Sequence, residues 1–144
     1  MKQLKLTFLI SVFAIFMANA QWLSFSKNKA VKYQNAVRSY YELNLLSLDR
    51  ELSRSAQLWA EEMAETDDFL FSPYEFGETI YRLNKKEFFE PKNSYLDAAV
   101  AWIQAYEEPE YYQTLCVDCA FVGYGKAENE SYIYIVAKYD KLYK

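Results

Sequence analysis

Apolar residues recur at helical spacing in three segments of this chain. The clearest segment begins at Asp49, a residue type that caps helix N-termini, and runs to about Glu65. Its apolar stripe consists of Leu52, Ala56, Trp59, Ala60 and Met63. Weaker stripes predict a first helix over Lys27 to Tyr41 and a third over Tyr95 to Tyr106, which we expect Pro109 to terminate.

Other apolar segments have the composition of β-strands. Phe76 to Leu83, Ala120 to Lys126 and Tyr132 to Tyr139 are rich in β-branched and aromatic residues. The last segment is apolar on both faces, which suits a strand between two helix layers. Tyr111 to Leu115 is a candidate for a further short strand.

These elements together predict an α/β fold, an α/β/α sandwich with a small antiparallel sheet between helices. Gly123 and Gly125 would let another group approach the strand that contains them. The chain has no internal repeat and no low-complexity linker, so we expect a single domain over residues 21–144.

The N-terminus has the pattern of a secretory signal peptide, expected over residues 1–20. Lys2 and Lys5 precede an apolar stretch from Leu6 to Met17, which is too short to span a bilayer comfortably, and Ala18-Asn19-Ala20 supplies a cleavage site. Removal of the two lysines leaves 14 basic against 20 acidic residues, a net charge of −6. This negative charge argues against nucleic acid and anionic membranes as partners.

Several short motifs follow one another in a recognisable order. They are Asn35-x-x-Arg38, Leu46-x-Leu48-Asp49, Ala56-Gln57-x-Trp59-Ala60, Gly77-Glu78-Thr79, Ala98-Ala99-x-x-Trp102, Val122 to Ala127 and Val136 to Tyr139. In this order the chain resembles the CAP superfamily of cysteine-rich secretory proteins, insect antigen 5 and plant pathogenesis-related proteins. The resemblance spans nearly all of residues 21–144 and implies the fold of that superfamily.

The cleft of that superfamily is usually drawn with two histidines and two glutamates around a divalent metal. The corresponding positions here are Phe71, Glu78, Ala105 and Glu110. Glu107 and Glu108 are alternatives for the last position, because the chain between Trp102 and Tyr111 is shorter than in the family. The chain contains no histidine, and imidazole is the ligand that suits zinc here. We therefore expect no metal and no cofactor, and Glu78 as a structural carboxylate at the edge of the cleft.

The two cysteines form the pattern Cys116-x-x-Cys119. In a secreted protein a local structural disulfide is expected, with an intermolecular bond as the alternative. Because residues three apart in a strand lie about 10 Å apart, the bond requires a tight turn at Val117-Asp118. A redox function is disfavoured, since a strand rather than a helix is expected to follow.

Asn129-Glu130-Ser131 is an N-glycosylation sequon at the tip of the expected hairpin between the last two strands. In a secreted glycoprotein from a eukaryote, Asn129 would be the acceptor.

The residues favour binding over catalysis. The chain has no histidine to activate a nucleophile, no Gly-x-Ser-x-Gly motif and no phosphate-binding loop. Most of the 14 tyrosines and ten phenylalanines are expected in the core and sheet, and a subset is expected to form a binding surface. We expect a secreted, non-catalytic protein that binds an extracellular protein partner. A carrier of a sterol or fatty acid is the alternative, which the resemblance permits, and a carboxylate hydrolase is disfavoured.

Overall fold

The computed structural model describes residues 21–22, 24–73, 77–87 and 93–143. The expected signal peptide, residues 1–20, lies outside the described residues. The helices and strands, in chain order, are α1 (24–40), β1 (Ser47–Leu48), α2 (Arg50–Thr66), β2 (Gly77–Asn84), α3 (Ser94–Gln104), α4 (Pro109–Thr114), β3 (Phe121–Glu128) and β4 (Tyr132–Tyr139). No helix within these described ranges is long and apolar enough to cross a membrane.

The strands form a mixed sheet in the order β1-β3-β4-β2. The three long strands pair antiparallel, as predicted, with β4 in the middle. The two-residue strand β1 adds a parallel pairing with β3 that the sequence pattern had not indicated. The register between β2 and β4 places Glu78 directly opposite Lys138.

Helices cover both faces of the sheet, which confirms the predicted α/β/α sandwich. On one face, the apolar stripe of α2 packs on β2 and β4 through Ala56, Ala60, Met63, Ile80, Tyr134 and Val136. On the other face, α1 and α3 pack on the sheet through Ala30, Val31, Ala98, Ala99, Trp102, Leu83, Tyr124 and Ile135. The alternation of side chains along β4 explains why this strand is apolar on both faces.

The glycines of β3 allow α2 to lie directly on the sheet, as predicted. A Cβ atom on Gly125 would lie 2.2 Å from the carbonyl carbon of Ala56 in α2. At this close approach, the side-chain amide of Gln57 donates to the carbonyl oxygen of Lys126 at 2.8 Å and accepts from the amide of Lys126 at 3.0 Å. Asp49 caps α2 by accepting a hydrogen bond from the amide of Leu52 at 2.8 Å.

The segment between Trp102 and Cys116 differs from the sequence-based prediction in two respects. Helix α3 ends at Gln104 rather than Tyr106, so Pro109 does not terminate it. Instead Pro109 occupies the first turn of α4, where a proline is tolerated because its missing N–H needs no partner. The expected short strand over Tyr111 to Leu115 is therefore wrong, since most of it belongs to α4.

The Asn-x-x-Arg motif of α1 connects the helix to the α1–β1 loop, to the end of α4 and to the loop that precedes β3. The Asn35 side chain exchanges two hydrogen bonds with the backbone of Leu46, at 2.9 and 2.8 Å. The fully buried Arg38 guanidinium donates to the carbonyl oxygens of Asn44, Thr114 and Cys119, at 2.8 to 3.1 Å. The motif thus satisfies buried backbone acceptors, and its role is structural.

Candidate functional site

Glu78, one of the expected cleft residues, lies in a buried cluster with Ser72 and Lys138. Lys138 Nζ lies 3.4 Å from Glu78 Oε2. The amide of Ser72 donates to Glu78 Oε1 at 2.7 Å, and its hydroxyl donates to Oε2 at 2.8 Å. Lys138 Nζ also donates to Ser72 Oγ at 3.2 Å. An ammonium group and two hydrogen-bond donors therefore compensate the buried carboxylate of Glu78.

The other predicted cleft positions do not join this Ser72–Glu78–Lys138 cluster through hydrogen bonds or ion pairs. Phe71 precedes Ser72, and about half of its side chain is exposed. Ala105 is the C-cap residue of α3, and Glu110 is half-buried in the first turn of α4. Within the described ranges, no group of three or more His, Cys, Asp and Glu residues is arranged to hold a metal.

Sequence reasoning missed Ser72 as a partner of Glu78, and it also missed Lys138. Lys138 was visible only as part of a strand motif, and neither its spacing nor its neighbours linked it to Glu78. The link arises from the β2–β4 register, in which the two residues are direct cross-strand partners.

A cavity of about 390 Å³ lies beside the cluster. Its lining residues are Ser55, Leu58, Trp59, Glu62, Pro73 and Lys138. The indole N–H of Trp59 donates to the carbonyl oxygen of Leu70 at 3.0 Å, which holds the segment after α2 against the helix. The wall of the cavity is therefore partly apolar, with Lys138 as its cationic group.

Six tyrosines form a continuous surface at the end of the molecule where α1, α3, α4 and the C-terminal tail meet. This tyrosine surface consists of Tyr40, Tyr41, Tyr106, Tyr111, Tyr112 and Tyr143. Tyr111 lies at its centre, with the ring centroids of Tyr106 and Tyr112 at 5.1 and 5.6 Å. The rings of Tyr112 and Tyr143 are stacked at 5.3 Å, and Tyr40 meets Tyr41 edge to face at 5.2 Å.

The hydroxyl groups of Tyr41 and Tyr111 lie 3.3 Å apart and link the two halves of the tyrosine surface. This hydrogen bond, together with burial, raises the pKa of Tyr111 to about 12. Tyr40 and Tyr106 are the most exposed members, at 82% and 68%. The surface therefore presents uncharged aromatic rings to solvent over a buried central ring.

Gln113 holds the C-terminal tail beside the tyrosine surface. Its amide nitrogen donates to the carbonyl oxygen of Lys141 at 2.9 Å, and its amide oxygen accepts from the backbone N–H of Tyr143 at 2.8 Å. Gln113 is itself buried. The tail is thus attached on both sides of residue 142, which places Tyr143 against Tyr112.

The expected local disulfide between Cys116 and Cys119 is present. Val117 and Asp118 form the turn that it requires, and the two Cα atoms lie 5.4 Å apart. Both cysteines are buried. The bond connects the end of α4 to the start of β3 and so supports the position of α4.

Asn129 lies between β3 and β4, at the predicted hairpin tip, and both its amide nitrogen and its amide oxygen make hydrogen bonds. Its amide nitrogen lies 2.9 Å from Asp67 Oδ1, 3.3 Å from the carbonyl oxygen of Ala64 and 3.4 Å from the Tyr134 hydroxyl. Its amide oxygen accepts from the backbone N–H of Ser131 and of Tyr132. A glycan on this nitrogen would disturb the contacts with the end of α2.

A model of the CAP family, the cysteine-rich secretory protein family, matches residues 31–139. Among solved structures, the chain is similar to BmVAL-1 (17% identity over 83% of this chain and 78% of that chain, TM-score 0.68). It is also similar to NaASP2 with Zn²⁺ (15% identity over 83% of each chain, TM-score 0.65). A third similar structure is Schistosoma mansoni venom allergen-like protein 4 (14% identity over 84% of this chain and 92% of that chain, TM-score 0.53). Identities this low establish the fold alone, and no curated protein matches the chain.

Proposed function

Since this chain belongs to the CAP family, we propose that it is a secreted, non-catalytic protein that works by binding an extracellular protein partner. Proteins of this family are typically secreted, generally lack enzymatic activity and bind extracellular partners. The signal-peptide pattern over residues 1–20 supports secretion.

The observation that carries this proposal is the tyrosine surface. Contiguous exposed aromatic side chains mark interaction sites on proteins, whereas singly scattered ones do not. Tyrosine is among the residues enriched in protein interfaces, because its ring supplies apolar contact area and its hydroxyl supplies a hydrogen bond. Five of the six tyrosines are exposed, and each has a ring or hydroxyl contact with another member.

The tyrosine surface is also held in place before any partner arrives. Gln113 fixes the tail that carries Tyr143, and the disulfide Cys116–Cys119 together with Arg38 fixes the end of α4. Binding to a surface that is already ordered loses less conformational entropy than binding to mobile side chains.

The surroundings of Glu78 support binding rather than hydrolysis. A carboxylate hydrolase needs two carboxyl groups that face a common substrate. Among the described residues, Glu78 instead faces an ammonium group and a serine, which satisfy its carboxylate oxygens.

Site-specific photo-crosslinking tests the proposal. A photoreactive phenylalanine analogue would replace Tyr106 on the tyrosine surface or, as a control, Leu58, which is similarly exposed on α2. We expect a discrete adduct with an extracellular protein from position 106 and none from position 58. Unlabelled wild-type protein should compete for the adduct, and the variant Tyr40→Ser/Tyr112→Ser should not. Equal adducts from both positions, or none from position 106, would contradict the proposal.

The cavity beside Lys138 favours a second candidate function, a carrier of a sterol or fatty acid. Its volume of about 390 Å³ lies within the range of small-molecule sites, about 300 to 1,000 Å³. Native mass spectrometry of the secreted protein, compared with its denatured mass, tests this candidate. A lipid-mass adduct that is lost on denaturation and absent from Leu58→Glu would support it, and a clean mass would exclude a tightly bound lipid.

A further inference from the structure

We propose that the tyrosine surface recognises an arginine-rich, cationic segment of its protein partner. This inference rests on the proposed binding function and specifies the chemistry of the partner. It follows from the glutamates that are neighbours of these tyrosines in the chain.

Four glutamates lie next to the tyrosines in the chain. Glu42 follows Tyr41, Glu107 and Glu108 follow Tyr106, and Glu110 precedes Tyr111. The first three are exposed, and Glu110 is half-buried. Within the described part of the chain, no lysine or arginine nitrogen lies within 4.0 Å of these four carboxylates. In the described part of the adjacent tail, residues 140–143, Lys141 is the one lysine or arginine, so negative charge predominates among the described residues at this end of the molecule.

Glu42 and Glu107 occupy backbone positions that favour glycine. Their φ angles are +57° and +69°, in the left-handed region, just after α1 and in the connection between α3 and α4. A residue other than glycine costs about 1 kcal/mol or more there. Two carboxylates are thus presented beside the tyrosines at positions where the backbone itself would favour a residue without a side chain.

Asp67 provides an internal comparison. It ends α2 with a similar φ of +59°. Its carboxylate, however, accepts hydrogen bonds from Tyr134 and Asn129, which hold its pKa below the usual range. The side chains of Glu42 and Glu107 make no such contact within the described residues. The carboxylate of Asp67 therefore stabilises the fold, whereas those of Glu42 and Glu107 remain available to a partner.

Arginine fits both features of the tyrosine surface. Its planar guanidinium group stacks on aromatic faces and at the same time pairs with a carboxylate through two parallel hydrogen bonds. The fold itself contains such stacking elsewhere, since the guanidinium carbon of Arg82 lies 4.3 Å from the ring centroid of Tyr132. The net charge of −6 that remains after signal removal would also accelerate association with a cationic partner.

Fluorescence anisotropy with a labelled peptide of alternating arginine and glycine tests the inference. The matched control peptide contains citrulline, which keeps the shape of arginine and removes its charge. We expect the arginine peptide to bind the wild-type protein in a salt-dependent manner, and the citrulline peptide to bind at least tenfold more weakly.

Two charge-matched variants locate the binding site. Glu107→Gln/Glu108→Gln should weaken peptide binding about fivefold, the effect of losing two exposed ion pairs. Glu65→Gln/Glu130→Gln removes the same charge from exposed positions on α2 and the hairpin, and should leave binding unchanged. Equal weakening by both variants would mean non-specific attraction and would overturn the inference.

The variant Glu107→Gly separates recognition from folding. Glycine relieves the positive φ, so thermal stability should not fall, yet peptide binding should weaken. Unchanged binding would contradict the inference. If the arginine peptide does not bind while position 106 still crosslinks a competed extracellular protein, the cationic chemistry is wrong and the binding function stands. If the arginine peptide does not bind and position 106 gives no competed adduct, both proposals are wrong.

Discussion

Lys138 Nζ and Glu78 Oε2 lie 3.4 Å apart across the β2–β4 pairing, and the side chains are only 1% and 4% exposed. Buried charges are tolerated when they are paired and hydrogen-bonded. Ser72 adds hydrogen bonds to both members. The Ser72–Glu78–Lys138 cluster therefore compensates the buried carboxylate of Glu78 with a cation from the chain itself.

Breaking this pair should destabilise the fold strongly. We expect Lys138→Met to lower the free energy of unfolding by about 3 to 5 kcal/mol, because it leaves the buried carboxylate of Glu78 without this cation. Glu78→Leu should also lower it, because it removes the carboxylate that lies 3.4 Å from the buried ammonium group of Lys138. The double variant should lose less than the sum of the single losses. Urea denaturation of all four proteins measures the coupling, and strictly additive losses would show that the two charges act independently.

Arg38→Lys should destabilise the protein although it preserves the charge. A lysine ammonium cannot reproduce the planar fork that reaches the carbonyl oxygens of Asn44, Thr114 and Cys119. We expect a loss of at least about 2 kcal/mol, since hydrogen bonds from charged groups contribute about 1.5 to 3 kcal/mol each. Lys32→Arg on an exposed part of α1 is the matched control. Equal stability of Arg38→Lys and wild type in urea would refute this role.

The protein should lose stability above about pH 10. Burial raises the pKa of Tyr95 to about 12, and the hydrogen bond with Tyr41 and burial raise the pKa of Tyr111 to the same value. Unfolded tyrosines ionise near pH 10. Between about pH 10 and 12 the unfolded chain therefore binds fewer protons than the folded protein, and the free energy of unfolding falls as pH rises.

The variant Tyr95→Phe identifies the contribution of one phenol. Its stability should decline less than that of wild type over this range, while Tyr40→Phe, which changes an exposed ring, should behave as wild type. Thermal denaturation at a series of pH values, with tyrosinate absorbance as a second signal, measures both. A parallel decline of Tyr95→Phe and wild type would contradict the assignment.

The sequon at Asn129 should carry a glycan when the protein is secreted from eukaryotic cells, and the glycan should lower stability. Its attachment would disturb the contacts of Asn129 Nδ2 with Asp67, Ala64 and Tyr134. Ser131→Ala removes the sequon and keeps the asparagine. This variant should melt at a higher temperature than wild type from eukaryotic cells, and at the same temperature when both come from bacteria. Identical melting and mass in the eukaryotic preparations would mean that the sequon is unused.

The sequence predicted those parts of the fold that depend on neighbours in the chain. The apolar stripe and the Asp49 cap indicated α2, and the composition of three segments indicated the long strands. The sequence also indicated that a Cys116–Cys119 disulfide requires a tight turn at Val117-Asp118, and the structure contains both the turn and the bond. The expectation that Pro109 ends α3 was wrong, because a proline is equally compatible with the end of one helix and with the first turn of the next.

The sequence by itself determined helices α1 to α3 and the long strands, because these follow from residue types and short-range periodicity, and the resemblance of its ordered motifs indicated the family. Only the tertiary structure decided that Lys138 faces Glu78, since that pairing depends on strand register between segments about 60 residues apart. It also decided which tyrosines form a surface. Those six come from the end of α1 and the residue after it, the α3–α4 connection, α4 and the tail, and only the packing of these four segments brings their rings together.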